Sequence, residues 1–133
     1  MERLNLRLAL ARKALATLAE VLMDHPSAIQ RDAAIQRFEY SFEALWKAAQ
    51  LYLRIQEGTE AASPKAVIRA ADAAKTLSPD QATLALAMAD DRNLTVHTYN
   101  EGLAEQIYQR LHAYHPLMRA WLDAMQSVVS RGS

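Results

Sequence analysis

The chain has 133 residues, 51% of them apolar, with equal numbers of basic and acidic side chains, 15 of each. That length suits one domain able to bury its own core, and so apolar a composition excludes a disordered chain. A net charge of zero is not the footprint of a protein that coats DNA or RNA, and the absence of cysteine removes disulfides, zinc thiolate sites and thiol nucleophiles together.

Only three glycines and four prolines interrupt a sequence rich in Ala, Leu, Glu, Gln and Arg, which is a helical composition. The first helix is expected from about Glu2 to Met23, because Leu4, Leu8, Ala11, Leu15, Leu18 and Leu22 fall on one face. Asp24-His25-Pro26-Ser27 breaks it. A second helix, about Ser27 to Gln56, carries Ile35, Phe38, Phe42, Leu45, Ala49 and Tyr52 in the same rhythm, and Gly58 stops it. Ser63-Pro64 reads as an N-cap followed by proline in the first turn, opening a short helix to about Lys75. Ser78-Pro79-Asp80-Gln81 repeats that opening, with Gln81 placed to close a capping box, and starts a fourth helix that runs to about Asp91.

Leu94 to Tyr99 is rich in β-branched and aromatic residues but too short and isolated to pair as a strand, so it reads as a distorted turn or an interrupted helix. The last helix, about Asn100 to Ser127, turns Leu103, Ile107, Leu111, Tyr114, Met118, Trp121 and Met125 inward, and Pro116 should kink it or start a new segment. Two long helices and two or three shorter ones make an all-α antiparallel bundle. Residues 1–129 form its single domain, and Ser130-Arg131-Gly132-Ser133 reads as a flexible polar tail of the kind left by expression cloning. The lack of cysteine fits a cytoplasmic protein. The charged opening Met1-Glu2-Arg3 is unlike a signal peptide, and no apolar run approaches the roughly 18–20 residues that cross a bilayer.

The chemistry gathers between Arg92 and Glu101. Arginine offers phosphate a fixed charge and a fork of donors, and histidine is the side chain that exchanges protons near neutral pH. Arg92 and His97, five positions apart, would diverge by about 140° on an ideal helix. Asn93 and His97, and Arg92 and Tyr99, would each share a face. Such a set could cleave RNA without metal or cofactor, the imidazole assisting 2′-hydroxyl attack and the guanidinium stabilising the charged transition state. The plainer alternative is an exposed arginine and a histidine at a helix end. Glu39 and Glu43, one turn apart, can pair with Arg37, Lys47 or the site arginine, and a carboxylate reaching Arg92 or His97 would orient it. His112 and His115 have i, i+3 spacing but no evident third ligand, so no metal is expected. Trp46 and Trp121 read as core or interface residues rather than a base-stacking platform.

Arg92, His97 and Tyr99 compose Arg-x4-His-x-Tyr, with Asn93 beside the arginine. This resembles the HEPN superfamily, particularly the small proteins paired with a minimal nucleotidyltransferase and the branch labelled nucleotidyltransferase substrate-binding protein. Ile35-Gln36-Arg37-Phe38-Glu39-Tyr40-Ser41-Phe42-Glu43, Trp46-Lys47, Ser63-Pro64-Lys65 and the segment Asp91 to Glu101 carry the likeness, over about residues 5–115. The resemblance implies a helical bundle that pairs as a homodimer and joins two Arg-His motifs in one groove. It implies a metal-independent RNase toxin in which Arg92 and His97 take the catalytic positions and Asn93 the polar position beside them. Tyr99 matches a tyrosine that the partner nucleotidyltransferase, as antitoxin, modifies with AMP. The branch label implies a different role, a non-catalytic adaptor for the nucleotidyltransferase.

Overall fold

The structure, a computed structural model, describes residues 1–132. Five α-helices follow one another: α1 (Glu2–Leu22), α2 (Ala28–Tyr52), α3 (Pro64–Ala73), α4 (Pro79–Leu94) and α5 (Glu101–Arg131). A π-helical turn, Leu53–Glu57, extends α2, and a 3-10 turn, Thr95–His97, extends α4. No strand occurs among the described residues, and none of the helices is long and apolar enough to cross a membrane. Three long helices and two shorter ones form an all-α bundle.

Every helix start but that of α1 is written in a side-chain cap. The side chains of Ser27, Ser63, Ser78 and Asn100 accept the amides of Gln30, Ala66, Gln81 and Leu103, satisfying donors that a helix N-terminus leaves free. Gln81 returns a bond to the Ser78 amide and closes the capping box. Two ends depend on left-handed residues. Gly58 ends the π turn at φ 65°, and Lys75 takes φ 65° just beyond α3, where Thr76 N–H bonds Ala71 C=O and Lys75 N–H bonds Asp72 C=O, a Schellman closure.

The periodic positions pack as expected. Leu4, Leu8, Ala11, Leu15 and Leu18 of α1 are buried, with Val21 rather than Leu22 completing the stripe. All six periodic residues of α2 are buried, and all those of α5 except the half-buried Leu103. The short connection after α1 turns α2 back along it. Both α2 and α5 run against α1, since Arg12 meets Asp123 and His115 meets Leu15. They therefore run parallel to each other, Gln30 meeting Tyr108 and Phe38 stacking on Tyr114. Helix α3 packs on α4, and α4 leans on both α5 and α2.

Three boundaries differ from the sequence reading. Helix α4 continues past Asp91 to Leu94. Helix α5 passes through Pro116 as one element instead of beginning again there, the ring lying on the exposed side. It also includes Ser130 and Arg131, which the sequence assigns to a tail. The rest of that tail includes Ser133, which lies outside the described residues.

Candidate functional site

The last turn of α4 sets the site's geometry. Arg92 points across to α2, with Nη1 3.4 Å from Glu39 Oε2 and Nε 3.6 Å from Glu43 Oε1. Glu39 and Glu43 stand one turn apart on α2, so both reach the same guanidinium. They choose Arg92 and not Arg37, whose Nη1 donates to the Thr17 carbonyl at 2.8 Å. Glu43 is held in turn by Trp46, whose Nε1 donates to Oε2 at 3.1 Å.

Thr95 ties this cluster to the backbone. Its Oγ1 accepts Arg92 Nη1 at 3.0 Å. The same oxygen lies 3.0 Å from Glu39 Oε2 and 2.7 Å from the Arg92 carbonyl, both acceptors for its proton. One hydroxyl has one hydrogen, so only one of those two bonds is made at a time. Thr95 is also where the α-helix tightens into a 3-10 turn and the carbonyl ladder of α4 ends.

That change of winding parts the candidate residues. The facing relations of Asn93 with His97 and of Arg92 with Tyr99 hold only on a continuous α-helix, and the helix stops between them. Beyond Thr95 the chain folds through bonds from Thr98 Oγ1 to the Thr95 carbonyl and from Asn100 N–H to the His97 carbonyl. His97 is exposed and meets Tyr99, with Nδ1 3.3 Å from the phenol oxygen and the rings edge to face. Tyr99 is 82% exposed. Arg92 and His97 share no hydrogen bond or ion pair among the described residues.

The paired arginine stands between two clefts. One, about 400 Å³, is lined by Glu43, Ser63, Lys65, Arg92 and Asn93 over a floor of Phe42 and Ala89. The other, about 350 Å³, lies between Asp32, Gln36 and Glu39 of α2 and Thr98 and Tyr99 of the turn. Asn93 therefore belongs with Lys65, and Tyr99 with Glu39.

On the side of the same turn that faces α5, Asp91 is buried, 5% exposed. It accepts Arg110 Nη1 at 2.9 Å and the Tyr114 phenol from α5. Burial, then the bond to Asp91, pushes the Tyr114 phenol up from the ordinary tyrosine range. His112 and His115 bind no common group: His112 Nδ1 lies 3.3 Å from the Gln109 carbonyl and His115 Nε2 3.3 Å from the Leu15 carbonyl. Among the described residues no three His, Asp or Glu side chains are grouped to hold a metal.

Sequence reasoning offered the site arginine as one of three partners for Glu39 and Glu43, took Trp46 for a core or interface residue, and missed Thr95. Thr95 carries a signal in hindsight, a hydroxyl three residues after Arg92, where a side chain on a helix's last turn can reach back to a carbonyl. Trp46, three after Glu43, has the same i, i+3 relation.

Residues 6–127 match the family described as nucleotidyltransferase substrate binding protein like. A Thermus thermophilus protein of known crystal structure, ttk003001694, is 58% identical and superposes with a TM-score of 0.84, over 86% of this chain and 98% of that one. HI0074 from Haemophilus influenzae is 21% identical with a TM-score of 0.74, over 90% of this chain and 98% of that one. Its structure is described as revealing the fold of a substrate binding domain of a nucleotidyltransferase. No functionally curated protein matches the chain. With the family match running through nearly all of α1 to α5, the chain belongs to the nucleotidyltransferase substrate-binding-like proteins.

Proposed function

We propose that the chain is the non-catalytic, substrate-binding partner of a minimal nucleotidyltransferase, with the turn from Arg92 to Tyr99 as the surface it presents. The observation that carries this reading is the engagement of Arg92 by Glu39 and Glu43, apart from His97. A guanidinium held between two carboxylates must leave one of them to meet a phosphate, so it is not preorganised for a developing transition-state charge as a cleavage site requires. The clefts on either side and the exposed His97-Tyr99 pair supply polar contacts for a partner. The test is to purify the chain alone and together with its nucleotidyltransferase. A stable complex is expected, with no RNA cleavage by the free chain.

A second reading rests on the exposed His97 and the complete Arg-x4-His-x-Tyr pattern, the resemblance to HEPN toxins. Here a homodimer completes the groove. His97 takes the proton from a ribose 2′-hydroxyl, the 2′-oxygen attacks the adjacent phosphorus, and the bond to the 5′-oxygen breaks, leaving a 2′,3′-cyclic phosphate and a 5′-hydroxyl that takes its proton from water. Arg92 stabilises the transition state, with Asn93 beside it, and AMP added to Tyr99 by the nucleotidyltransferase antitoxin closes the groove with charge and bulk. This reading predicts growth arrest when the chain is expressed alone and a loss of roughly 10²-fold in cleavage in His97→Ala. Cyclic-phosphate RNA ends that vanish in His97→Ala would overturn the adaptor reading. Cleavage or toxicity unchanged in that variant would overturn the nuclease reading.

A further inference from the structure

The Arg92 cluster contains more negative charge than it needs and fewer good bonds than it could make. Two carboxylates face one guanidinium, at 3.4 and 3.6 Å, longer than a tight charge-assisted bond. Arg92 Nε is shielded from solvent and makes no hydrogen bond among the described residues. The best bond to the guanidinium comes from Thr95, at 3.0 Å, and the Thr95 hydrogen is contested by two acceptors. A buried donor left unbonded costs free energy that a better acceptor recovers. Beside it opens the cleft that holds Asn93 and Lys65. Lys65 is half-exposed and forms an ion pair with Asp90 on the surface.

We infer that Thr95 is a positioning residue that parks Arg92 against Glu39 and Glu43, and that a phosphate group entering the Asn93-Lys65 cleft draws the guanidinium away from Glu43. This rests on reading the turn from Arg92 to Tyr99 as the working surface, and it adds the chemical class of what enters and the device that holds the site closed until then. The entering phosphate supplies what the parked state lacks, an acceptor for Arg92 Nε and a second cationic partner in Lys65. Glu43, which keeps its Trp46 bond, is the competitor that sets the affinity. The arrangement disfavours adventitious anions and admits one only when its charge exceeds that of a single carboxylate.

The test uses the full chain and nuclear magnetic resonance. In the parent, the Arg92 Nε–H proton is expected to be protected from exchange. Thr95→Val keeps the shape and removes the hydroxyl, so protection should fall, and Thr95→Ser should restore it. If Thr95→Val folds with the parent's melting temperature and leaves Arg92 protection unchanged, Thr95 does not position the arginine. Inorganic phosphate is then titrated while the Asn93 and Lys65 signals are followed. Glu43→Gln should bind phosphate at least about tenfold more tightly than the parent, the weight of one charge-assisted bond, and Lys65→Ala should weaken binding by about the same factor. Phosphate binding no tighter in Glu43→Gln, or shifts confined to other surfaces, would overturn the inference. These readouts are made without the nucleotidyltransferase. If the latch behaves as described and no complex forms, the adaptor reading alone has failed.

Discussion

His115 shows how far a single environment can set a side chain's behaviour. Burial, assisted by the nearby Arg119 and opposed by the bond to the Leu15 carbonyl, holds its imidazole below the ordinary 6.5. Because the folded value is depressed, the unfolded chain binds the proton more readily below about pH 6.5. Stability is therefore lost as the pH falls from there toward the folded value. Urea midpoints measured from pH 7.5 to 5 should decline in the parent and decline less in His115→Gln. Tyr114 has the opposite sign. Its phenol holds the proton in the fold when the unfolded chain's would begin to leave at about 10, so stability should drop as the pH rises through that value. Tyr114→Phe leaves the buried Asp91 short of a donor, and should cost about 1–3 kcal/mol in urea unfolding at pH 7.

Helix boundaries depend on a few residues whose backbone chemistry is local. Gly58 and Lys75 share the same left-handed φ, which costs an L side chain roughly 1 kcal/mol. Gly58→Ala should lose about that amount, since the added methyl meets nothing within 4 Å and the penalty is the backbone's alone. Lys75→Gly should recover up to about 1 kcal/mol by the same argument. Differential unfolding of the two variants measures both. The caps at Ser63 and Ser78 and the apolar stripes were legible in the sequence, because each is a relation between residues a turn or less apart. The end of α4 was legible as a break in the stretch Leu94 to Tyr99, but its tie to α2 was not. Where the α-winding ends, Thr95 bonds Arg92 and Glu39 on another helix, and a contact across the bundle leaves no trace in local spacing. The parting of Arg92 from His97 was legible in their five-residue spacing, whereas the engagement of Arg92 by Thr95 was not. No new segment starts at Pro116, one of the two outcomes its place in the sequence suggested: a ring on the exposed side of a long, well-buried helix removes one bond without ending it.

At the scale of the molecule, core and working surface are separate. Phe38 is fully buried, tilted against Phe42 and stacked on Tyr114, so it joins α2 to α5. Phe38→Ala should destabilise by about 3–5 kcal/mol, whereas His97→Ala, on an exposed turn, should stay within roughly 0.5 kcal/mol. Thermal and urea unfolding of the two variants check the contrast, which allows the turn to be altered without loss of the bundle. One further consequence lies in the neighbours Asp91 and Arg92. Successive side chains on a helix point about 100° apart. The anion of this pair faces Arg110 on α5 and the cation faces Glu39 and Glu43 on α2. Turning α4 by one residue in one sense would set the carboxylate against the carboxylates of α2, and turning it in the other would set the guanidinium against that of Arg110. The helix thus has a keyed rotational setting, read by the sign of charge as well as by the shape of its apolar face. A chain with the order of these two residues exchanged would have the same composition and the wrong key, and the direction in which His97 and Tyr99 leave the bundle would go with it.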